Sequence, residues 1–128
     1  MEQKDNLALE RDIAKRLHAI GTPADLRGYH YLIETIKIAI ADKEAVFEMT
    51  KNIYEPVAKQ FNVTAKQVSK AITRAILTAW DRGDLDTLQR FFGYTVSNTK
   101  GKPTNSEFIA LIADKLQLQL KSAEVVNF

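Results

Sequence analysis

The segment from Phe61 to Trp80 constrains the fold most, because it predicts a turn followed by a long helix with two chemically different faces. At 100° per residue, one face is small and apolar. That face consists of Val68, Ala71, Ile72, Ala75 and Ala79. The opposite face is polar and cationic, and it consists of Lys66, Gln67, Ser69, Lys70, Thr73 and Arg74. The pattern indicates a helix that packs closely on a neighbour and presents its cationic face outward.

The residues before this helix predict that neighbour. A short helix is expected from Pro56 to Phe61, since proline suits the first turn of a helix. Ala58 is small enough to let two helix axes approach, Asn62 tolerates the unusual backbone of a tight turn, and Thr64 offers an N-cap hydroxyl. The small residue at position 58, the turn residue at position 62 and the apolar residue at position 68 have the spacing of a helix-turn-helix.

Positive charge is concentrated on this predicted hairpin. Four basic residues and no acidic residue lie between Pro56 and Trp80, whereas the whole chain has a net charge of +2. The rest of the chain therefore sums to −2. A cationic helix with a small apolar back suits the major groove, so double-stranded DNA is the expected partner. The alternative is a solvated cationic surface with no partner.

The remaining chain also predicts helices, and no segment shows a convincing strand period. One helix ends at Gly21, a second follows Pro23 and runs to about Asp42, and a third covers Lys43 to about Asn52. A short helix capped by Asp84 ends at Gly93, and a last one is capped by Thr104 or Asn105, with Glu107 placed for a capping box. The expected core positions are Leu9, Ile13, Leu17, Ile20, Leu26, Tyr29, Ile33, Ile36, Ala39, Ile40, Val46, Phe47, Met49, Ile53, Leu85, Leu88, Phe91, Phe92, Phe108, Ile109, Ile112, Leu116 and Leu120. The prediction is one all-α domain, residues 1–128, of about six helices.

The sequence does not indicate a membrane protein, a secreted protein, an enzyme or a metal-binding protein. The chain has no cysteine, no apolar run approaching the roughly 20 residues that cross a bilayer, and a polar start unlike a secretory signal. We therefore expect a cytoplasmic protein. No phosphate-cradling glycine loop or nucleophile motif indicates an enzyme, and no cofactor is expected. His18 and His30 lie on separate predicted helices, so a metal pair is not expected, and Trp80 is expected to pack in the core.

Four segments carry a family resemblance, and together they cover nearly all of the chain beyond the first dozen residues. They are IGTPADLRGYHYL (20–32), AKQFNVTAKQV (58–68), AWDRGDLDTL (79–88) and FGYTVSNTKGKPTNSEFIALIADKL (92–116). The last is the most specific, since capping, loop and core residues match together. They resemble the C-terminal effector domain of the stage-zero sporulation response regulator A family of endospore-forming bacteria.

The resemblance implies a six-helix domain that binds a short DNA box, often as tandem copies, and regulates promoters in contact with RNA polymerase sigma factor. It makes the Thr64 helix the recognition helix. The DNA-reading positions are then Thr64, Lys66, Gln67, Ser69, Lys70, Thr73 and Arg74. The family has arginine at positions 67, 70 and 73, glutamate at 69 and histidine at 74. Glutamine suits adenine and lysine lacks the fork that reads guanine, so we expect DNA binding with an altered box.

Two further contacts follow from the resemblance. The loop from Ser97 to Lys102 and the next helix start are expected to bind DNA phosphates, although an ordinary lysine-bearing loop is the alternative. The phosphate set is Lys59, Lys100, Lys102, Thr104, Asn105 and Ser106. The resemblance places Asp81, Arg82, Asp84 and Asp86 near the surface that contacts sigma factor, so these are the expected sigma-factor contacts. A calcium site is not expected, because the three aspartates lack the loop of an EF-hand.

A second hypothesis comes from a different class of protein. The family's regulator carries an N-terminal receiver domain phosphorylated on aspartate, and no receiver domain is expected within these 128 residues. Without that switch, the chain could instead be a protein-interaction module that acts on sigma factor or another transcription regulator without specific DNA binding. No heptad pattern indicates a coiled coil, so we expect a monomer in solution that pairs on tandem DNA sites.

Overall fold

The computed structural model describes residues 2–83, 85–92 and 102–126. Within those residues the regular structure is entirely helical, as the all-α prediction requires. The α-helices are α1 (Glu2–Ala19), α2 (Arg27–Ala41), α3 (Glu55–Phe61), α4 (Ala65–Arg82), α5 (Leu85–Phe92) and α6 (Asn105–Val126). A 3₁₀ segment (Lys43–Glu48) and a π-helical turn (Thr50–Tyr54) connect α2 to α3. None of the described helices is both long and apolar enough to cross a membrane.

Helix α2 lies at the centre of the domain and packs mainly on α4 and α6, with α1 against it as well. The fully buried side chains come from all four helices. They include Ile13, Leu17, Leu32, Ile36, Ile72, Ile76, Phe108, Ile109 and Ile112. Burial of each such side chain contributes about 1.5–3 kcal/mol, so this shared core fixes α4 relative to α2 and α6.

Glycines allow two close backbone approaches. Gly21 has φ +87°, a left-handed conformation that ends α1, and Thr22 donates its N–H to the Leu17 carbonyl at 2.9 Å. Gly28, in the first turn of α2, lies directly on α4. A Cβ at position 28 would come within 2.1 Å of the Ala71 carbonyl oxygen and 2.8 Å of the Ala75 Cβ. The start of α2 therefore touches α4 at backbone distance.

Two predicted core residues lie at the surface. Phe47 is 82% exposed, and Ala45 and Tyr54 are buried nearby instead, whereas Ile53 is buried as predicted. The prediction assumed an α-helical period, but this stretch is a 3₁₀ segment followed by a π turn, with a different number of residues per turn. Leu120 is 42% exposed, because α6 continues past the buried Leu116, and residues 118–120 of this helix are all exposed.

Two other differences concern boundaries and faces. Helix α2 begins at Arg27, four residues after Pro23, and its central position also buries Tyr31, Leu32 and Thr35, which the predicted stripe did not include. The predicted cap at Asp84, the helix end at Gly93 and the loop residues up to position 101 lie outside the described residues.

Candidate nucleic-acid interface

The turn between α3 and α4 has the geometry that its sequence predicts. Asn62 adopts the left-handed conformation, with φ 56° and ψ 48°. Val63 donates its N–H to the Ala58 carbonyl at 2.9 Å, which closes the end of α3. Ala58 is buried, consistent with the small residue needed where the two helices meet. Helices α3 and α4 therefore form a helix-turn-helix.

A capping box begins α4. The Thr64 hydroxyl accepts a hydrogen bond from the Gln67 N–H at 3.1 Å, and the Gln67 side-chain oxygen accepts one from the Thr64 N–H at 2.9 Å. This confirms Thr64 as the N-cap and gives Gln67 a structural role. A two-bond contact with adenine uses both the oxygen and the nitrogen of the glutamine amide. The cap already uses the oxygen, so Gln67 offers its nitrogen most readily.

The two faces of α4 are arranged as predicted. Val68, Ile72, Ala75 and Ala79 are buried, while Ala71 is half-buried at the edge of the apolar face. We call the opposite surface the recognition face, and it consists of Lys66, Gln67, Ser69, Lys70, Thr73 and Arg74. All of these are exposed except Ser69, which is half-buried. Leu77 continues the same face and is 42% exposed, an apolar position that the charge pattern did not single out. A leucine there is suited to a thymine methyl group.

The cations of the helix-turn-helix have no acidic partner in the part of the chain that the structure describes. Among the described residues, no carboxylate forms an ion pair with Lys59, Lys66, Lys70 or Arg74. Elsewhere lysines are paired: Lys37 lies 2.9 Å from Glu10 and 3.3 Å from Glu34. Burial lowers the pKa of Lys37, but its hydrogen bond to Glu10 and the charge of Glu34 outweigh this, so its pKa is raised overall. The recognition face lacks such internal neutralisation and can therefore attract an anionic partner.

Asn105, a predicted phosphate ligand, is engaged with other parts of the domain. Its side-chain nitrogen donates toward the Tyr54 hydroxyl at 3.1 Å, the Ser69 carbonyl at 3.2 Å and the Thr73 hydroxyl at 3.1 Å. The Thr73 hydroxyl also bonds the Ser69 carbonyl at 3.0 Å. These bonds join the first residue of α6 to α4 and to the π turn. The structure therefore places Asn105 and Thr73 in a helix–helix contact at the edge of the recognition face.

The start of α6 carries a second capping box. Thr104 donates its N–H to the Glu107 carboxylate at 2.9 Å, and the Thr104 hydroxyl accepts from the Glu107 N–H at 3.2 Å. This confirms Thr104 as the cap and Glu107 as its partner. Of the other predicted phosphate ligands, Lys102 and Ser106 are half-buried near this helix start. Lys59 is exposed on α3, and Lys100 lies outside the described residues.

A cavity of about 240 Å³ opens on the other flank of α4. It is lined by Arg27, Tyr31, Val63, Gln67, Lys70 and Ala71. Residues 71 and 75, which touch α2, and residues 69 and 73, which touch α6, are on opposite flanks of α4 at 100° per residue. The recognition face therefore lies between the start of α2 and the start of α6. Sequence reasoning missed Arg27, because its proximity to Lys70 arises only in the folded domain.

The proposed sigma-contact residues lie at the far end of α4 and on α5. Asp81, Arg82 and Asp86 are exposed, and Asp84 lies outside the described residues. Trp80 is half-buried, and its ring meets Phe108 edge-on with centroids 6.4 Å apart, so the packing interpretation is confirmed. In the described part of the chain, no group of three or more histidine, cysteine, aspartate or glutamate residues could hold a metal ion.

An all-α domain with a capped helix-turn-helix and an unpaired cationic second helix defines a DNA-binding domain of the helix-turn-helix class. Comparison with family models identifies the family. The chain belongs to the family described as "Sporulation initiation factor Spo0A C terminal", whose model matches residues 13–116. The match runs from within α1 to within α6 and includes all four segments that carry the sequence resemblance, which is thereby confirmed. It is a family of transcription-regulating, DNA-binding domains associated with sporulation.

Proposed function

We propose that this chain is a sequence-specific transcription regulator that inserts α4 into the major groove of double-stranded DNA. The observation that carries this proposal is the recognition face: its cations are exposed and have no acidic partner among the described residues. The opposite face of α4 is anchored in the core by Val68, Ile72 and Ala75, so the helix can be presented without unfolding any part of the domain.

The proposal includes a box that differs from the family's own. Where the family has arginines that read guanine through two bonds, this chain has Gln67, Lys70 and Thr73, and each good two-bond pair is worth about 1–3 kcal/mol of discrimination. The Gln67 oxygen is used by the capping box and the Thr73 hydroxyl by the contact with Asn105. Both residues therefore have fewer groups to offer to bases, which favours readout by Lys66, Arg74 and the apolar Leu77.

The test is selection of bound duplexes from a randomised pool, followed by fluorescence-anisotropy titration at two salt concentrations. We expect one short motif to be enriched and its affinity to fall steeply as salt rises. Absence of enrichment, with weak binding to all duplexes, would contradict a sequence-specific regulator and favour the protein-interaction alternative.

A charge-reversal pair tests the assigned helix. Lys70→Glu with Arg74→Glu should weaken binding to the selected duplex by roughly 100-fold or more, since two contacts of about 1–3 kcal/mol each are replaced by repulsion. Arg11→Glu with Lys51→Glu is the matched control, because both residues are exposed and lie outside the recognition face. Equal affinity of the two double variants would exclude α4 as the recognition helix.

The same proposal puts the protein in the cytoplasm, as a monomer that pairs on tandem boxes, with sigma factor as a second partner. Exposed Asp81, Arg82 and Asp86 support a protein contact at the end of α4 and on α5. Asp81→Lys with Asp86→Lys should leave binding to the selected duplex intact and abolish stimulation or repression of transcription by purified RNA polymerase. Unchanged regulation by that variant would contradict the sigma-factor contact.

A further inference from the structure

Two cations line the cavity beside the recognition helix, and the rest of its surface is mainly apolar. Its volume is about 240 Å³, well above the roughly 10–15 Å³ that admits one water molecule, so it has room for a small anion. Arg27 and Lys70 contribute the two charged side chains of its lining, and both are exposed. The rest of the lining is neutral: Tyr31, Val63, Gln67 and Ala71.

The positive charge of this cavity is not neutralised within the described part of the domain. Neither Arg27 nor Lys70 forms an ion pair or a side-chain hydrogen bond there. Helix α2 also starts without a side-chain cap at Leu26 and without an acidic residue in its first turn, so the positive end of its dipole adds to the two cations. Two like charges beside one cavity favour an anion between them.

Backbone packing holds together the two chain segments that carry these cations. Gly28 follows Arg27, Ala71 follows Lys70, and a Cβ on Gly28 would come within 2.1 Å of the Ala71 carbonyl oxygen. The chain segments that carry Arg27 and Lys70 are therefore held together by direct backbone contact rather than by flexible side chains. The backbone of the site is therefore preorganised, so the conformational entropy lost when an anion binds comes mainly from the two side chains.

We propose that this cavity binds one backbone phosphate of the DNA duplex, with Arg27 as its principal ligand and Lys70 as the second. The proposal rests on the proposed function, because it requires α4 to lie in the groove. The guanidinium of Arg27 matches the oxygens of a phosphate with two parallel N–H donors. Because the cavity flanks the recognition face, this contact should position the domain on any duplex and carry no sequence preference.

Removal of the Arg27 side chain tests the site through the salt dependence of binding. Arg27→Ala should lower affinity for the selected duplex and for an unrelated duplex by the same factor, roughly tenfold at low salt. The slope of log affinity against log salt should fall by about 0.9, the value for one phosphate contact on B-form DNA. Arg11→Ala, which removes an equal charge from an exposed position on α1, should leave the slope unchanged. A wild-type slope in Arg27→Ala would overturn the proposal.

Two further arms distinguish a DNA phosphate from a free anion as the occupant of the cavity. In the first arm, single phosphates of the duplex are replaced in turn by neutral methylphosphonates. At one position the replacement should weaken DNA binding by the wild type but not weaken binding by Arg27→Ala any further. The absence of any such position would overturn the proposal. The second arm tests whether the cavity binds free phosphate. Inorganic phosphate is titrated into the protein while the backbone amide resonances of Gly28 and Lys70 are followed. Saturable phosphate binding combined with an unchanged DNA slope would assign the cavity to a free anion instead.

The outcomes also distinguish this site from the proposed function. DNA binding that survives Arg27→Ala with its slope intact overturns the cavity alone and leaves α4 as the recognition helix. Loss of all DNA affinity in the wild-type chain overturns both. An equal urea midpoint for wild type and Arg27→Ala shows that the domain has not been destabilised, and Arg27→Lys should restore the slope while recovering only part of the affinity.

Discussion

The starts of α2 and α6 lie on opposite flanks of the recognition helix, yet their chemistry differs. Helix α6 begins with a complete capping box from Thr104 and Glu107, and Asn105 is hydrogen-bonded to α4 and the π turn. Helix α2 begins without a side-chain cap, and its first residue, Arg27, lines the cavity beside α4. One helix start is satisfied from within the domain, and the other remains available to an anion.

This difference matters because a capping side chain binds the free backbone N–H groups of the helix start, and a phosphate would bind the same groups. The Glu107 carboxylate places negative charge in the first turn of α6, where the helix dipole would otherwise attract an anion. The α2 start has no acid in its first turn. The start of α6 therefore holds α4 in place, and the start of α2 is the flank that we propose for the DNA backbone.

The largest expected effect is that of Gly28→Ala, which separates the α2 start from α4. In an ordinary helix this change stabilises by about 1 kcal/mol. Here the new Cβ would lie 2.1 Å from the Ala71 carbonyl oxygen, so the helices must move apart, at a cost of about 1–3 kcal/mol or more. Urea denaturation measures the loss.

Arg27→Ala at the neighbouring position is the control for this loss. It changes an exposed side chain and should alter stability by no more than about 0.5 kcal/mol. A stabilised Gly28→Ala variant would show that α2 and α4 do not meet at backbone distance, and the preorganisation of the cavity would then have no basis.

Asn105→Ala should have the next largest effect, on the other flank. It removes the donor to the Tyr54 hydroxyl and to the Ser69 carbonyl, and a lost partner for a buried polar group costs about 1–3 kcal/mol. If Asn105 acts by holding α6 on α4, the urea midpoint falls while the salt slope of DNA binding stays at its wild-type value. Asn6→Ala, at an exposed asparagine on α1, controls for the substitution itself. A slope reduced by about 0.9 with unchanged stability would make Asn105 a phosphate ligand after all.

Local signals in the sequence predicted the fold around α4 well. The two faces of α4, the left-handed turn at Asn62, the N-cap at Thr64 and the capping box of Thr104 with Glu107 depend on residues close in sequence, and the structure confirms each of them. The prediction that Phe47 is buried was wrong, because it assumed an α-helical period for a segment that is a 3₁₀ helix.

The flanks of α4 could not be predicted, since they depend on contacts between distant parts of the chain. Asn105 is 36 residues from Ser69, and its hydrogen bond to that carbonyl has no signature in either segment. Arg27 precedes Gly28, whose packing on Ala71 exists only in the folded domain. The sequence therefore indicated the cationic face of α4, but the structure was needed to distinguish the two helix starts beside it.

The smallest expected effect tests whether negative charge at the α6 start opposes DNA binding. Glu107→Gln keeps a side chain that suits the third position of a capping box, so the urea midpoint should change little. Removing the charge should raise affinity for every duplex by roughly two- to fivefold at low salt, in line with the 0.3–1 kcal/mol of a charge near a helix end, and the gain should fade as salt rises. Glu48→Gln, at an exposed acid on the 3₁₀ segment, is the matched control and should leave affinity unchanged. A gain in DNA affinity confined to Glu107→Gln would mean that the carboxylate of the cap repels DNA phosphates at the start of α6. No gain would mean that the DNA backbone does not approach this end of α6, and the cavity beside α2 would then be the flank that contacts the backbone.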